Sequence, residues 1–128
     1  MAPLPFVPGR HAIEAYGGGG FRFAGMSHVG SILATPRGIS AFAAASIDEV
    51  GDEALAPLIA ELAASATAVE LLVVGTGAGS RRLPEGLIGR LRALGLRFEA
   101  MATGPAARAY NVLVEEGRRV AALLIAVA

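Results

Sequence analysis

Cysteine is absent from the chain, and with it go a disulfide framework, a thiolate metal site and a cysteine nucleophile. An excess of charge is missing too. Eleven basic residues face eleven acidic ones, which removes the electrostatic footprint of a nucleic-acid binder or a polybasic membrane-surface protein. No apolar run is long enough to span a bilayer: "VAALLIAVA" has nine residues where a membrane helix needs about 20, and it reads as a fully buried strand. The opening "MAPLPFVPGRH" lacks a basic start followed by a long apolar stretch. Its three prolines predict an extended arm over residues 1–10, with no export signal, and cytoplasm is the expected compartment.

What is present describes a well-buried globular protein. Apolar residues make up 54% of the 128 positions and charged ones 17%, a composition that predicts one domain over residues 1–128 with an aliphatic core.

Apolar and polar residues alternate on both sides of four glycines in "HAIEAYGGGGFRFAG", as in two half-buried strands joined tightly. A phosphate cradle normally lies between a strand and a helix N-terminus, whereas Gly17 to Gly20 lead into the strand-like "FRFAG". A turn is the better reading. A β-rich run from Val29 stops at Pro36, and a short strand is expected around Ile39 to Phe42. After Ile47 the pattern becomes helical, with a helix predicted from near Pro57 to Ser65 and Pro57 in its first turn. "VELLVVG" then reads as a strand covered on both faces, "LPEGLIGRLRALG" as a helix, "LRFEAMA" as a strand, "GPAARAYNVLVEEG" as a helix and "RRVAALLIAVA" as the last strand. This strand and helix order is that of βαβ units, so the expected fold is α/β. A central mixed sheet would carry packed helices, with the N-terminal β-rich segment as a further layer or edge.

Two strand-to-helix turns are candidates for chemistry. "VVGTGAG" gives G-x-G-x-G at Gly75, Gly77 and Gly79, which is neither the dinucleotide fingerprint nor a P-loop, so a structural loop and a ligand loop both stay open. In "ATGPAARAYN", Thr103 or Gly104 is expected to cap a helix whose first position is Pro105. If both turns share one sheet edge, Thr76 and Thr103 face a common crevice with unpaired helix N–H donors. Arg108, Tyr110 and Asn111 lie within the next two turns. The alternative is a capped helix with Tyr110 in the core and Arg108 in water.

Other polar residues carry less. His11 and His28 belong to no ligand-spaced motif, so no metal is expected. Ser27 and His28 are adjacent on a strand and point to opposite faces. Asp48, Glu49, Asp52 and Glu53 precede a helix, where their charges favour its N-terminus.

Taken together, "YGGGGFRFAG…HVGSILATP", "LLVVGTG" and "MATGPAARAYNVLVEEGRRVAALLIAV" resemble, in order and spacing, a widespread family of small domains of unknown function that includes mitochondrial respiratory complex I assembly factor 3. The resemblance runs from about His11 to the C-terminus and implies a single three-layer α/β domain with a mixed central sheet. Its threonine-glycine and tyrosine-asparagine pairs fall on Thr103, Gly104, Tyr110 and Asn111, and its glycine-threonine-glycine loop on Gly75, Thr76 and Gly77. Family members often have an acidic residue where this chain has Ala102 and a threonine where it has Ala109. The implied role is a noncatalytic interaction or assembly protein with a protein partner, by analogy at a respiratory membrane complex, and no cofactor. The competing expectation is a small-molecule enzyme or anion-binding domain using the crevice between the Thr76 and Thr103 turns.

Overall fold

Two segments too apolar to face water on either side decide the architecture. In the computed structural model, which describes residues 6–128, they form adjacent inner strands of a six-stranded sheet. Five N-terminal strands and one more after them come first: β1 (Phe6–Pro8), β2 (Ile13–Gly17), β3 (Gly20–Phe23), β4 (Met26–Val29), β5 (Ser31–Thr35) and β6 (Gly38–Phe42). A 3-10 turn at Ile47–Glu49 leads to α1 (Asp52–Ala64), followed by β7 (Leu71–Gly75), α2 (Glu85–Ala93), β8 (Arg97–Met101), α3 (Thr103–Glu115) and β9 (Val120–Leu124). Residues 1–5 of the expected arm lie outside the described residues, and Phe6–Pro8 pairs antiparallel with β6.

The large sheet runs β1-β6-β5-β9-β7-β8. β5 pairs antiparallel with both β6 and β9, whereas β7 is parallel to both β9 and β8, so β9 is the seam between an antiparallel and a parallel half. The mixed sheet expected from the βαβ order is present. All five residues of β9 are buried, as its unbroken apolar run requires.

Helices and a second sheet cover the two faces. On one, α1 and α2 bury Leu55, Leu58, Leu87 and Leu91 against Leu72, Val74, Leu123 and Ile125. On the other, α3 lies beside a three-stranded antiparallel sheet, β2-β3-β4, which buries Ile13, Phe21 and Phe23 with Ile32, Val73, Tyr110 and Leu124. The N-terminal β-rich segment is therefore a layer contribution, and the domain has three layers. The hairpin expected around the glycines gains a third strand.

Gly17 to Gly20 form the turn between β2 and β3. Gly17, Gly18 and Gly19 have positive φ of 120, 60 and 85°, and a Cβ on Gly20 would stand 1.9 Å from the carbonyl oxygen of His28. These glycines serve backbone conformation and close strand approach.

Two helix starts differ from expectation. α1 begins at Asp52 with Gly51 as an extended N-cap, so Pro57 sits in the second turn and not the first. The acidic first turn of Asp52 and Glu53 favours this earlier start, and the burial of Leu55 and Leu58 offsets the hydrogen bond that Pro57 cannot donate. α3 begins at Thr103 with Ala102 as N-cap, placing Pro105 third in the helix and neither Thr103 nor Gly104 at the cap.

Because β9 binds both halves, we expect Leu123→Ala, which empties a fully buried site, to lower stability by about 2–5 kcal/mol. Urea unfolding followed by circular dichroism and by amide signals from β2–β4 should shift as one transition. Separate transitions for the two halves would contradict the seam.

Candidate functional site

The parallel pairing of β7 with β8 brings the turns that follow them to the same sheet edge, as the sequence suggested. There the polar groups are already used. Thr76 N–H donates to the Met101 carbonyl at 2.8 Å and Thr103 N–H to the Gly77 carbonyl at 2.8 Å. The Thr103 hydroxyl donates to the Ile125 carbonyl at 2.7 Å and accepts from Gly77 N–H at 3.0 Å. The Thr76 hydroxyl lies 2.7 Å from the Gly79 carbonyl and accepts from Arg81 N–H at 3.0 Å. Both threonines are buried.

Steric closeness fills what remains. A Cβ on Gly75 would lie 2.9 Å from the Leu124 side chain and from the Cα and hydroxyl of Thr103. Gly77 holds a φ of 111° that favours glycine. Among the first three residues of α3, Thr103 has donated its N–H and Pro105 has none, leaving only that of Gly104 for an anion. Gly75, Thr76, Gly77 and Thr103 thus meet as a lock joining β7, α3 and the segment after β9.

The other expected residues separate from this lock. Gly104, Arg108 and Asn111 line a groove of about 370 Å³ between β2 and α3, together with Glu14 and Tyr16. Gly104 lets Tyr16 lie on the helix: a Cβ there would come within 2.3 Å of the tyrosine hydroxyl. Tyr16 remains 45% exposed, so its ring forms one wall of the groove and Arg108, also exposed, another. The Glu14 carboxylate bonds Arg22 at 3.3 Å and accepts from Gly25 N–H at 3.1 Å.

Asn111 is not a solvated residue. Its carbonyl oxygen accepts from Ile13 N–H at 2.7 Å and its amide donates to the Ile13 carbonyl at 2.8 Å, so one side chain imitates a strand partner. β2 is the outer strand of the small sheet and, among the described residues, pairs only with β3, so Asn111 takes the place of a strand partner for the outward groups of Ile13. Tyr110 points inward and is 1% exposed, which removes it as a surface anchor. Burial raises the pKa of its hydroxyl to about 12, with Arg10 opposing the shift.

Glu14 and Tyr16 did not stand out in the sequence. Their alternation marked a strand, but nothing local indicates that this strand lies against α3. Three of the four residues of the acidic cluster form ion pairs or a cap: Asp48 with Arg81 and Asp52 with Arg90, each at 2.7 Å, while Glu49 closes a capping box with Ser46. The hydrogen bond from Arg81 holds the Asp48 carboxyl below its ordinary range. Among the described residues, no group of three or more His, Cys, Asp or Glu side chains is placed to hold a metal ion, and no helix is long and apolar enough to cross a membrane.

Residues 13–125 match the sequence profile of the family described as "Protein of unknown function (DUF498/DUF598)". An uncharacterized protein of Rhodobacter capsulatus is 44% identical over 126 residues, which are 98% of this chain and 93% of that protein. A Xenopus tropicalis protein named NADH dehydrogenase [ubiquinone] 1 alpha subcomplex assembly factor 3 is 34% identical over 113 residues, covering 88% of this chain and 60% of that protein. A crystal structure described as an outer membrane protein from Bartonella henselae superposes with a TM-score of 0.85 at 43% identity, covering 94% of this chain and 98% of that one.

Two outcomes follow from the geometry. Asn111→Ala strands the N–H and carbonyl of Ile13 in a half-buried place and should cost about 1–3 kcal/mol in urea unfolding, whereas Arg108→Glu, at an exposed position, should leave stability unchanged. All eleven basic residues are arginine, so with no lysine or cysteine, tyrosine is the only side-chain type that titrates between about pH 8.5 and 12. The folded pKa of Tyr110 lies above the unfolded one, so its contribution to stability is complete below pH 10 and falls away as pH rises towards 12. The two-unit difference corresponds to about 2.7 kcal/mol. A stability profile over this range should show the fall, and Tyr110→Phe should remove it.

Proposed function

The chain belongs to the family described as "Protein of unknown function (DUF498/DUF598)", and from that premise we propose that it is a noncatalytic interaction protein of the assembly type. The observation that carries this reading is the groove between β2 and α3, where a half-exposed tyrosine rests on Gly104 beside an exposed arginine. Tyrosine and arginine are the side chains that most often supply binding energy at protein interfaces. Val112, 55% exposed, lies one helical turn beyond Arg108 and extends the surface with an apolar patch. The partner is a protein, taken by analogy with the assembly-factor relative to be a subunit of a respiratory NADH dehydrogenase. The unit that binds it is the single domain over residues 1–128, working from the cytoplasm without inserting in the bilayer.

The second reading, an enzyme or anion-binding domain at the Thr76 and Thr103 turns, has less support. Their hydroxyls donate to backbone carbonyls and accept from the N–H groups of Gly77 and Arg81, so a ligand there would first have to displace those bonds.

Affinity recovery of NADH dehydrogenase subunits from native membranes separates the readings. The parent chain should recover them, Arg108→Glu should lose most of the recovery, and Arg92→Glu, at another exposed site, should not. Equal recovery by all three places the interface elsewhere. A thermal-shift screen with phosphate, nucleotides and small carboxylates should stay flat; a ligand at 100 times its dissociation constant would add about 2.7 kcal/mol and favour the second reading.

A further inference from the structure

The two ends of the large sheet are finished differently. At one end β1 spans Phe6–Pro8 among the described residues and closes with Pro8, which has no N–H to offer, a common way to blunt an edge. At the other end β8 is five residues long, pairs among the described residues only with β7, contains no proline, and exposes Arg97, Glu99 and Ala100. Its outward backbone groups can be identified. Met101 accepts from Thr76 N–H on the β7 side, and in a parallel ladder alternate residues bond to the same neighbour, so Arg97, Glu99 and Met101 turn to β7. The N–H and carbonyl groups of Phe98 and Ala100 therefore face outward. So does the carbonyl of Leu96, whose own N–H donates to Leu91.

We infer that β8 is the self-association edge of this protein, pairing antiparallel with β8 of a second copy about a two-fold axis at Phe98. The charges select this register. Arg97 and Glu99 lie on one face of the strand and, among the described residues, neither forms an ion pair within the chain. Outward residues must meet outward residues, which leaves registers that differ by steps of two. With the axis at Phe98, Arg97 opposes Glu99 of the other copy, twice over. Moving the axis one residue towards Arg97 puts Arg97 opposite Arg97, and moving it one residue the other way puts Glu99 opposite Glu99. Like charges directly opposite each other destabilise a ladder.

The same axis suits the hydrogen bonds. The two Phe98 residues exchange N–H and carbonyl bonds, and each Ala100 N–H meets a Leu96 carbonyl. The Arg97–Glu99 positions then form the non-hydrogen-bonded pairs, where facing side chains stand closest. Phe98 itself is half-buried against the α2 side of the core, which fixes which face of the strand Arg97 and Glu99 occupy.

Sedimentation velocity over a concentration series, with amide exchange at Phe98 and Ala100, tests the pairing. The parent should show a monomer–dimer equilibrium in which both amides slow as concentration rises. Arg97→Glu and Glu99→Arg each turn two opposite-charge pairs into two like-charge pairs, and each should weaken the dimer at least about tenfold while keeping the parent circular dichroism. Mixing the two variants pairs Glu with Arg at both positions, so a heterodimer of parent strength should return. A parent that stays monomeric with unchanged exchange, single variants that dimerise as the parent does, or a mixture that fails to recover would each overturn the inference.

Discussion

Strand β9 is the constraint to which the other elements answer. It must satisfy an antiparallel neighbour through one edge and a parallel neighbour through the other, with all its side chains buried. Ile32, Leu33 and Ala34 of β5 set its register on one side, and Leu71 to Gly75 of β7 on the other. Since both faces are apolar, both need cover, and no one kind of layer supplies it. Helices α1 and α2 cover one face, while α3 and a small sheet share the second. That shared cover creates the groove, because α3 and β2 lie side by side and leave a valley between them.

The threonine lock shows how a motif that looks chemical can be architectural. Thr103 is the first residue of α3, yet its hydroxyl reaches sideways to the segment after β9 and accepts a bond from the loop after β7. The C-terminal ends of the three neighbouring parallel strands β8, β7 and β9 are thereby tied, at the edge where open α/β sheets commonly bind ligands. The glycines around it permit the close approach. The open surface lies elsewhere, in the valley beside Tyr16.

Much of the fold was legible because the strongest signals were local. The unbroken apolar runs of β7 and β9 marked inner strands, and four glycines between alternating segments marked a turn. The site was less legible because its contacts are distant in sequence. Asn111 looks like a polar helix residue until α3 is seen to lie along the open edge of β2, where its side chain bonds both backbone groups of Ile13. Tyr110 and Tyr16 are alike as sequence but opposite in place: the first faces the core, and the second is held at the surface by a glycine across from it. The start of α1 was missed because Pro57 is a strong local signal, and the buried face formed by Leu55 and Leu58 overrode it.

The contact of Tyr16 with Gly104 also has an optical consequence. The protein contains no tryptophan and two tyrosines, so its ultraviolet emission is not drained into an indole. One phenol is enclosed in the core and the other borders the groove, which divides the signal into a fixed background and a responsive part. The valley therefore carries its own unlabelled chromophore, and any molecule that settles against it changes the surroundings of that ring directly.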